Sequence, residues 1–162
     1  MITEIKKTEW PKFYRRFNAT NLYRPARVSI IGPDGREHTV CPAPFMGIAL
    51  LRQGRKISGL QFLSGQGDPE HLVEPVVTVI EPTGLTLESD ADGTDIRLRI
   101  RSQADRREIV LELTGQPESS RNLVQKVAYG LYERRGYTPG CDRDDWYEAE
   151  QKVRQVEAEL TH

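Results

Sequence analysis

Thr94-Asp95-Ile96-Arg97-Leu98-Arg99-Ile100-Arg101 alternates without a break. Ile96, Leu98 and Ile100 fall on one face of an extended chain, and Arg97, Arg99 and Arg101 on the other. A period of two is what a half-buried strand requires. Glu108-Ile109-Val110-Leu111-Glu112-Leu113 follows after a polar turn, so opposite charges on the two strands can pair across an antiparallel ladder.

Working back from this pair, Leu85-Thr86-Leu87 reads as a short strand. The β-branched run Val76-Val77-Thr78-Val79-Ile80 reads as a central one. Ala26–Ile31 and Arg36–Cys41 alternate on either side of Pro33-Asp34-Gly35, where Pro sets the first turn angle and Gly takes the positive one. Pro42-Ala43-Pro44 breaks that ladder. Phe45–Leu51 and Lys56–Leu63 then flank the polar turn Arg52-Gln53-Gly54-Arg55, a second hairpin. Ser64-Gly65-Gln66-Gly67-Asp68-Pro69 is a loop. Ahead of the strands, Thr8 to about Phe17 has helical spacing, with Thr8 as cap and Pro11 in the first turn. Trp10, Phe13, Tyr14 and Phe17 form a stripe that would pack on a sheet. Short strands joined by turns predict an antiparallel meander, whose apolar face is covered by curling into a small barrel or by the N-terminal helix.

After Gly115 the pattern changes. Gly115-Gln116-Pro117-Glu118-Ser119-Ser120 reads as a linker, and Ser119 or Ser120 caps a helix running to about Arg135. Leu123, Val124, Val127, Ala128, Leu131 and Tyr132 are its apolar stripe. Gly136 is a left-handed cap, and Pro139-Gly140 prevents continuation. Asp142 or Asp144 caps a second helix, with Asp145 and Glu148 adding negative charge to its first turn. Its apolar residues Trp146, Ala149, Val153, Val156 and Leu160 are spaced as a narrow heptad seam. That seam either packs on the first helix or meets a partner or a second copy. The fold class expected is therefore α+β. Residues 1–115 form a small antiparallel β-meander sheet or barrel with an N-terminal helix, 116–120 the linker, and 121–162 the helical hairpin.

Two resemblances support this division. From Val127 to Glu150 the chain resembles the family known as domain of unknown function (DUF) 2934. The matching residues are Ala128-Tyr129, Leu131-Tyr132-Glu133, Arg135-Gly136, Pro139-Gly140, Asp145-Trp146 and Ala149-Glu150. From Glu4 to Leu113 it resembles the family known as domain of unknown function (DUF) 5335, through Glu9-Trp10 with Phe13, Ala43-Pro44-Phe45-Met46-Gly47-Ile48 and Asp68-Pro69-Glu70-His71-Leu72-Val73. The resemblances imply a bacterial protein of two modules and bring no catalytic residues.

Composition narrows the function classes. The 162 residues are 37% hydrophobic and 29% charged, with formal net charge −1. No global field draws nucleic acid or anionic membrane. No apolar run approaches the roughly 18–20 residues of a membrane span, and Met1–Lys7 lacks the apolar core of a secretion signal. A cytoplasmic protein is expected. Cys41 and Cys141 read as unpaired thiols in a reducing compartment, with a bridge between the two modules as the alternative.

Chemistry-bearing patterns are sparse. Asp90-Ala91-Asp92-Gly93-Thr94-Asp95 begins like a calcium loop, but the twelfth position, where a bidentate Glu belongs, is Arg101. No metal or cofactor is expected. His38 and Cys41 are three apart in a strand and so point to opposite faces. The reading that remains is a non-catalytic protein-interaction or assembly module. It would use the Trp146, Ala149, Val153, Val156 and Leu160 seam for a protein partner or self-association. The alternatives are nucleic-acid binding through Arg97, Arg99 and Arg101, and a small enzyme using His71 or Cys41.

Overall fold

The computed structural model describes residues 1–41, 44–65 and 67–161. The ladder break expected at Pro42-Ala43, the family cue at Ala43 and the loop position Gln66 lie outside the described residues. In chain order the elements are β1 (Ile2–Glu4), a 3-10 turn (Lys7–Glu9), α1 (Trp10–Asn21), β2 (Ala26–Ile31), β3 (Glu37–Val40), β4 (Phe45–Gln53), β5 (Lys56–Gly65), β6 (Val73–Ile80), β7 (Pro82–Ser89), β8 (Asp95–Ser102), β9 (Glu108–Leu113), α2 (Arg121–Arg134) and α3 (Asp142–Thr161). The class is α+β, with all strand pairings antiparallel.

The strands form two sheets, one of order β1-β7-β8-β9-β2-β3 and one of order β4-β5-β6. β7, β8 and β9 are the meander that the Thr94–Arg101 alternation predicts. β2 then lies against β9, Ala26 opposite Leu113, so the first hairpin joins the far side of the same sheet. The Val76–Ile80 run is part of an edge strand rather than a central one. Pro75 within β6 explains this, because it has no N–H to give a second neighbour.

The two sheets face each other across a first core. Leu85, Leu98, Ile100, Ile109 and Leu111 come from the large sheet and Phe45, Ile48, Leu60, Phe62 and Val79 from the small one. α1 closes this core with Trp10, Phe13, Tyr14 and Phe17. The aromatic stripe thus packs on sheet, as its spacing predicts. Thr8 does not cap the helix. It lies in the 3-10 turn, Glu9 occupies the cap position without a side-chain cap bond, and α1 continues past Phe17 to Asn21.

A second core lies on the other face of β4-β5-β6. Met46, Leu63 and Leu72, with Tyr23, pack there against Leu123, Val124, Val127 and Leu131 of α2 and Ala149 and Val153 of α3. A register shift between Phe45 and Gly47 turns Phe45 and Ile48 to the first core and leaves Met46 on the second. The small sheet is therefore buried on both faces, and the helical hairpin docks on its own β part. The linker is held as well, since the Glu118 N–H donates to the Tyr23 carbonyl at 2.7 Å and Arg24 Nε to the Gly115 carbonyl at 3.0 Å.

The hairpin ends follow the expected chemistry with two changes. Gly136 takes a φ of 69°. Its N–H reaches the Glu133 carbonyl at 3.0 Å, and the Tyr137 N–H reaches Tyr132 at 3.1 Å, the paired bonds of a Schellman cap. Ser120 holds the first cap position without a side-chain bond, while Ser119 Oγ accepts from the Arg121 N–H at 3.2 Å. α3 begins at Asp142, so Cys141 precedes it. Its carbonyl accepts from the Asp145 N–H, and the aspartates act on the helix end through charge.

Two buried phenols set a pH dependence. Tyr14 Oη is buried with no hydrogen-bond partner among the described residues. Burial holds its pKa far above the ordinary 10.0, and burial followed by a bond to Glu157 does the same for Tyr23. The unfolded chain releases these protons near pH 10 and the folded chain does not, so stability falls as pH rises beyond about 10. Urea unfolding from pH 8 to 11 should show a declining midpoint. Tyr14→Phe should raise stability at neutral pH by about 1 kcal/mol, because it removes an unsatisfied group, and should flatten the alkaline decline.

Candidate functional site

The seam expected to meet a partner faces the second core. Ala149 and Val153 are buried, and Trp146, Val156 and Leu160 pack half-buried against the same cluster. Trp146 also lies under the Arg121 guanidinium, 5.5 Å from ring centre to Cζ. Residues from β4, β5 and α2 of the same chain pack on this stripe, the intramolecular one of the two placements that its spacing allows.

The arginine stripe is largely paired. Arg97 meets Glu88 at 2.5 Å and Arg99 meets Glu108 at 3.1 Å. Arg101 stands opposite Glu108 in the ladder, exposed and without an ion pair among the described residues. Register explains the pairing, because Glu88 on β7 and Glu108 and Glu112 on β9 flank β8 from both sides. Asp90 uses its carboxylate on its own turn, accepting from the Asp92 and Thr94 N–H groups at 2.9 and 3.0 Å. His38 and Cys41 lie exposed on and just after β3, an edge of the large sheet. His71 lies exposed on the loop before β6. These residues are not brought together. Cys41 and Cys141 are free thiols.

Three polar residues around the end of α1 form a buried junction that sequence reading passed over. Asn18 behaves as a piece of backbone. Its Oδ1 accepts from the Ile48 N–H at 2.8 Å, and its Nδ2 donates to the carbonyls of Ile48 and Leu160, each at 3.0 Å. Asn21 donates to Asp95 Oδ2 at 2.9 Å and accepts from Arg24 Nη1 at 2.9 Å. Arg24, only 6% exposed, also donates to the Asp95 carbonyl at 2.7 Å. The intervening Tyr23 takes a φ of 67° and sends its hydroxyl to Glu157 at 2.7 Å. This junction ties α1 to β4, β8, the linker and α3. The only sequence signal was a run of polar residues at helical spacing next to the aromatic stripe.

The surface left to solvent on the hairpin is the outer face of α2 with the α2–α3 turn. The Asp68–Leu72 loop lies on one flank of α2. Two glycines permit that approach: a Cβ on Gly130 would meet Pro69 Cδ at 2.7 Å, and one on Gly67 would meet Lys126 Cβ at 2.5 Å. Glu70 on this loop pairs with Arg134 at 3.0 Å. The N–H of Glu70, ahead of that of His71, holds the Asp68 carboxyl below its usual value. Beside the loop, Tyr129 and Tyr137 are each more than half exposed, and Tyr132 touches both rings. On α3, Tyr147 is 66% exposed. Arg135 and Asp145 form an ion pair, with the Asp145 side chain nearly buried. It joins the end of α2 to the start of α3 and fixes how the turn presents Tyr137. No group of metal-binding side chains occurs among the described residues.

Gly130→Ala isolates the loop contact. In a free helix the change would add about 1 kcal/mol of stability. Here the methyl group must displace Pro69, so we expect lower stability and faster amide exchange in residues 67–72, measured by hydrogen exchange. Undiminished stability would contradict the close approach.

Residues 120–155, which span α2, the turn and most of α3, match the model of a family described as protein of unknown function (DUF2934). No curated protein matches the chain, and no solved structure does. The chain is thus similar to that family over its helical hairpin.

Proposed function

We propose that this chain is a non-catalytic protein-interaction module whose contacts are made by the outward surface of the helical hairpin. The heptad seam is already covered from within, so the working surface is the opposite face. One observation carries this reading: Tyr129, Tyr137 and Tyr147 are 56%, 54% and 66% exposed, and all three lie on the hairpin. Large aromatic side chains left in water on one structural element are the kind of residue that anchors protein interfaces. The rigid backing supports the same reading, because a docked hairpin presents these rings without an ordering penalty. The free thiols fit a cytoplasmic setting, and the N-terminal resemblance to the DUF5335 family fits a bacterial origin.

The test compares full-length protein with a Tyr129→Ser plus Tyr147→Ser variant. Both positions are exposed, so thermal stability should change little. Proteins captured reproducibly by the parent should be lost by the variant. Capture unchanged in the variant would overturn the reading.

A further inference from the structure

The end of α2 and the hairpin turn gather three phenol rings, with the exposed Glu133 carboxylate in the same stretch. The centroids of Tyr129 and Tyr132 are 6.1 Å apart with ring planes at 48°, and those of Tyr132 and Tyr137 are 5.3 Å apart at 83°. The rings are therefore tilted to one another rather than stacked flat, and Tyr129 and Tyr137 keep more than half their surface in water. Glu133 lies in the same turn of α2, exposed and without an ion-pair partner among the described residues. Its charge is felt at the cluster: Glu133, followed by Tyr129, raises the Tyr137 phenol above its ordinary pKa.

Two of the neighbouring cations are engaged: Arg134 is held by Glu70 at 3.0 Å and Arg135 by Asp145, while Lys126, its stem along Gly67, lines the loop-side depression that Tyr129 and Glu133 also line. On the turn side, toward Tyr132 and Tyr137, the rings offer electron-rich faces beside the Glu133 carboxylate. That combination attracts an organic cation, since the face of an aromatic ring carries negative potential and a carboxylate adds a full charge. A guanidinium suits it best, because its flat face stacks on a ring while its edge forks a carboxylate.

We propose that Tyr129, Tyr132, Tyr137 and Glu133 form a docking site for an arginine side chain on a basic segment of a protein partner. This names the partner chemistry of the interaction surface argued above and rests on that reading. The segment crosses the hairpin turn, places its guanidinium against the rings and pairs with Glu133.

The test is a titration of the isotopically labelled full chain with an Arg-Gly repeat peptide, followed by amide and side-chain chemical shifts. A Glu-Gly repeat peptide and arginine amide serve as the comparison arms. Shifts should concentrate at residues 129–137 with the arginine peptide and be absent with the acidic one. Glu133→Gln, which keeps shape and removes charge, should weaken binding about tenfold, and Tyr129→Leu similarly. Both residues are exposed, and an unchanged amide spectrum elsewhere verifies the fold. Absent shifts at millimolar peptide, equal shifts with the acidic peptide, or undiminished affinity in Glu133→Gln would each overturn the proposal. Arginine amide binding as tightly as the peptide would overturn the protein segment as its source. If partners are still lost in the Tyr129→Ser plus Tyr147→Ser variant while the arginine peptide fails to bind, the interaction surface stands and the cation site falls.

Discussion

The three-stranded sheet β4-β5-β6 has to be covered on both sides, and the rest of the molecule is arranged around that requirement. Leu60 and Phe62 point to one core, and Leu63, one residue on, points to the other. Met46 and Phe45 divide in the same way across a register shift. A sheet with one wet face would have left Met46 and Leu63 in water, and each is at most 6% exposed. Burying a side chain of that size stabilises a fold by about 1.5–3 kcal/mol, so the hairpin that covers them is an integral layer. The large sheet and α1 supply the cover on one side, and α2 and α3 supply it on the other.

The polar junction at the end of α1 complements this layering. Apolar contact is non-directional and would tolerate several placements of the hairpin. Asn18, Asn21 and Arg24 are buried, and each makes directed bonds to elements far away in the chain. A buried polar group is expensive to leave unpaired, so these bonds select one placement among those that the apolar surfaces allow. The Arg135–Asp145 pair acts likewise at the opposite end of the hairpin, where it sets the turn bearing Tyr137. The proposed interaction surface, the outer face of α2 and its turn, is what these two clamps hold still.

Much of this was readable from residue order because local chemistry specified it. The alternation of Asp95–Arg101, the Pro33-Asp34-Gly35 turn and the Gly136 stop each state a backbone conformation by themselves. The misses share a cause. β1 is three exposed residues whose strand identity comes only from pairing Ile2–Glu4 with Thr86–Glu88. The position of β2 beside β9 and the edge position of β6 are non-local facts that no single stretch contains. Periodicity showed that Trp146, Ala149, Val153, Val156 and Leu160 share a face, but a period names the apolar side without naming what covers it. Asn18, Asn21 and Arg24 gave little signal in sequence because they reach partners as far as 30 to 142 positions away. The tyrosines of the hairpin were visible in sequence, but their common exposure depends on which side of α2 the sheet takes.

The claim that the hairpin is a layer of one fold can be tested through the two tryptophans. Trp10 reports on the first core and Trp146 packs against the second. In Trp10→Phe and Trp146→Phe variants, urea unfolding followed by the remaining tryptophan should coincide with unfolding followed by circular dichroism. Each variant should give one transition, because losing either layer exposes the sheet they share. A Trp146 transition completed at lower urea than the loss of β signal would contradict this layering and make the hairpin an independent unit.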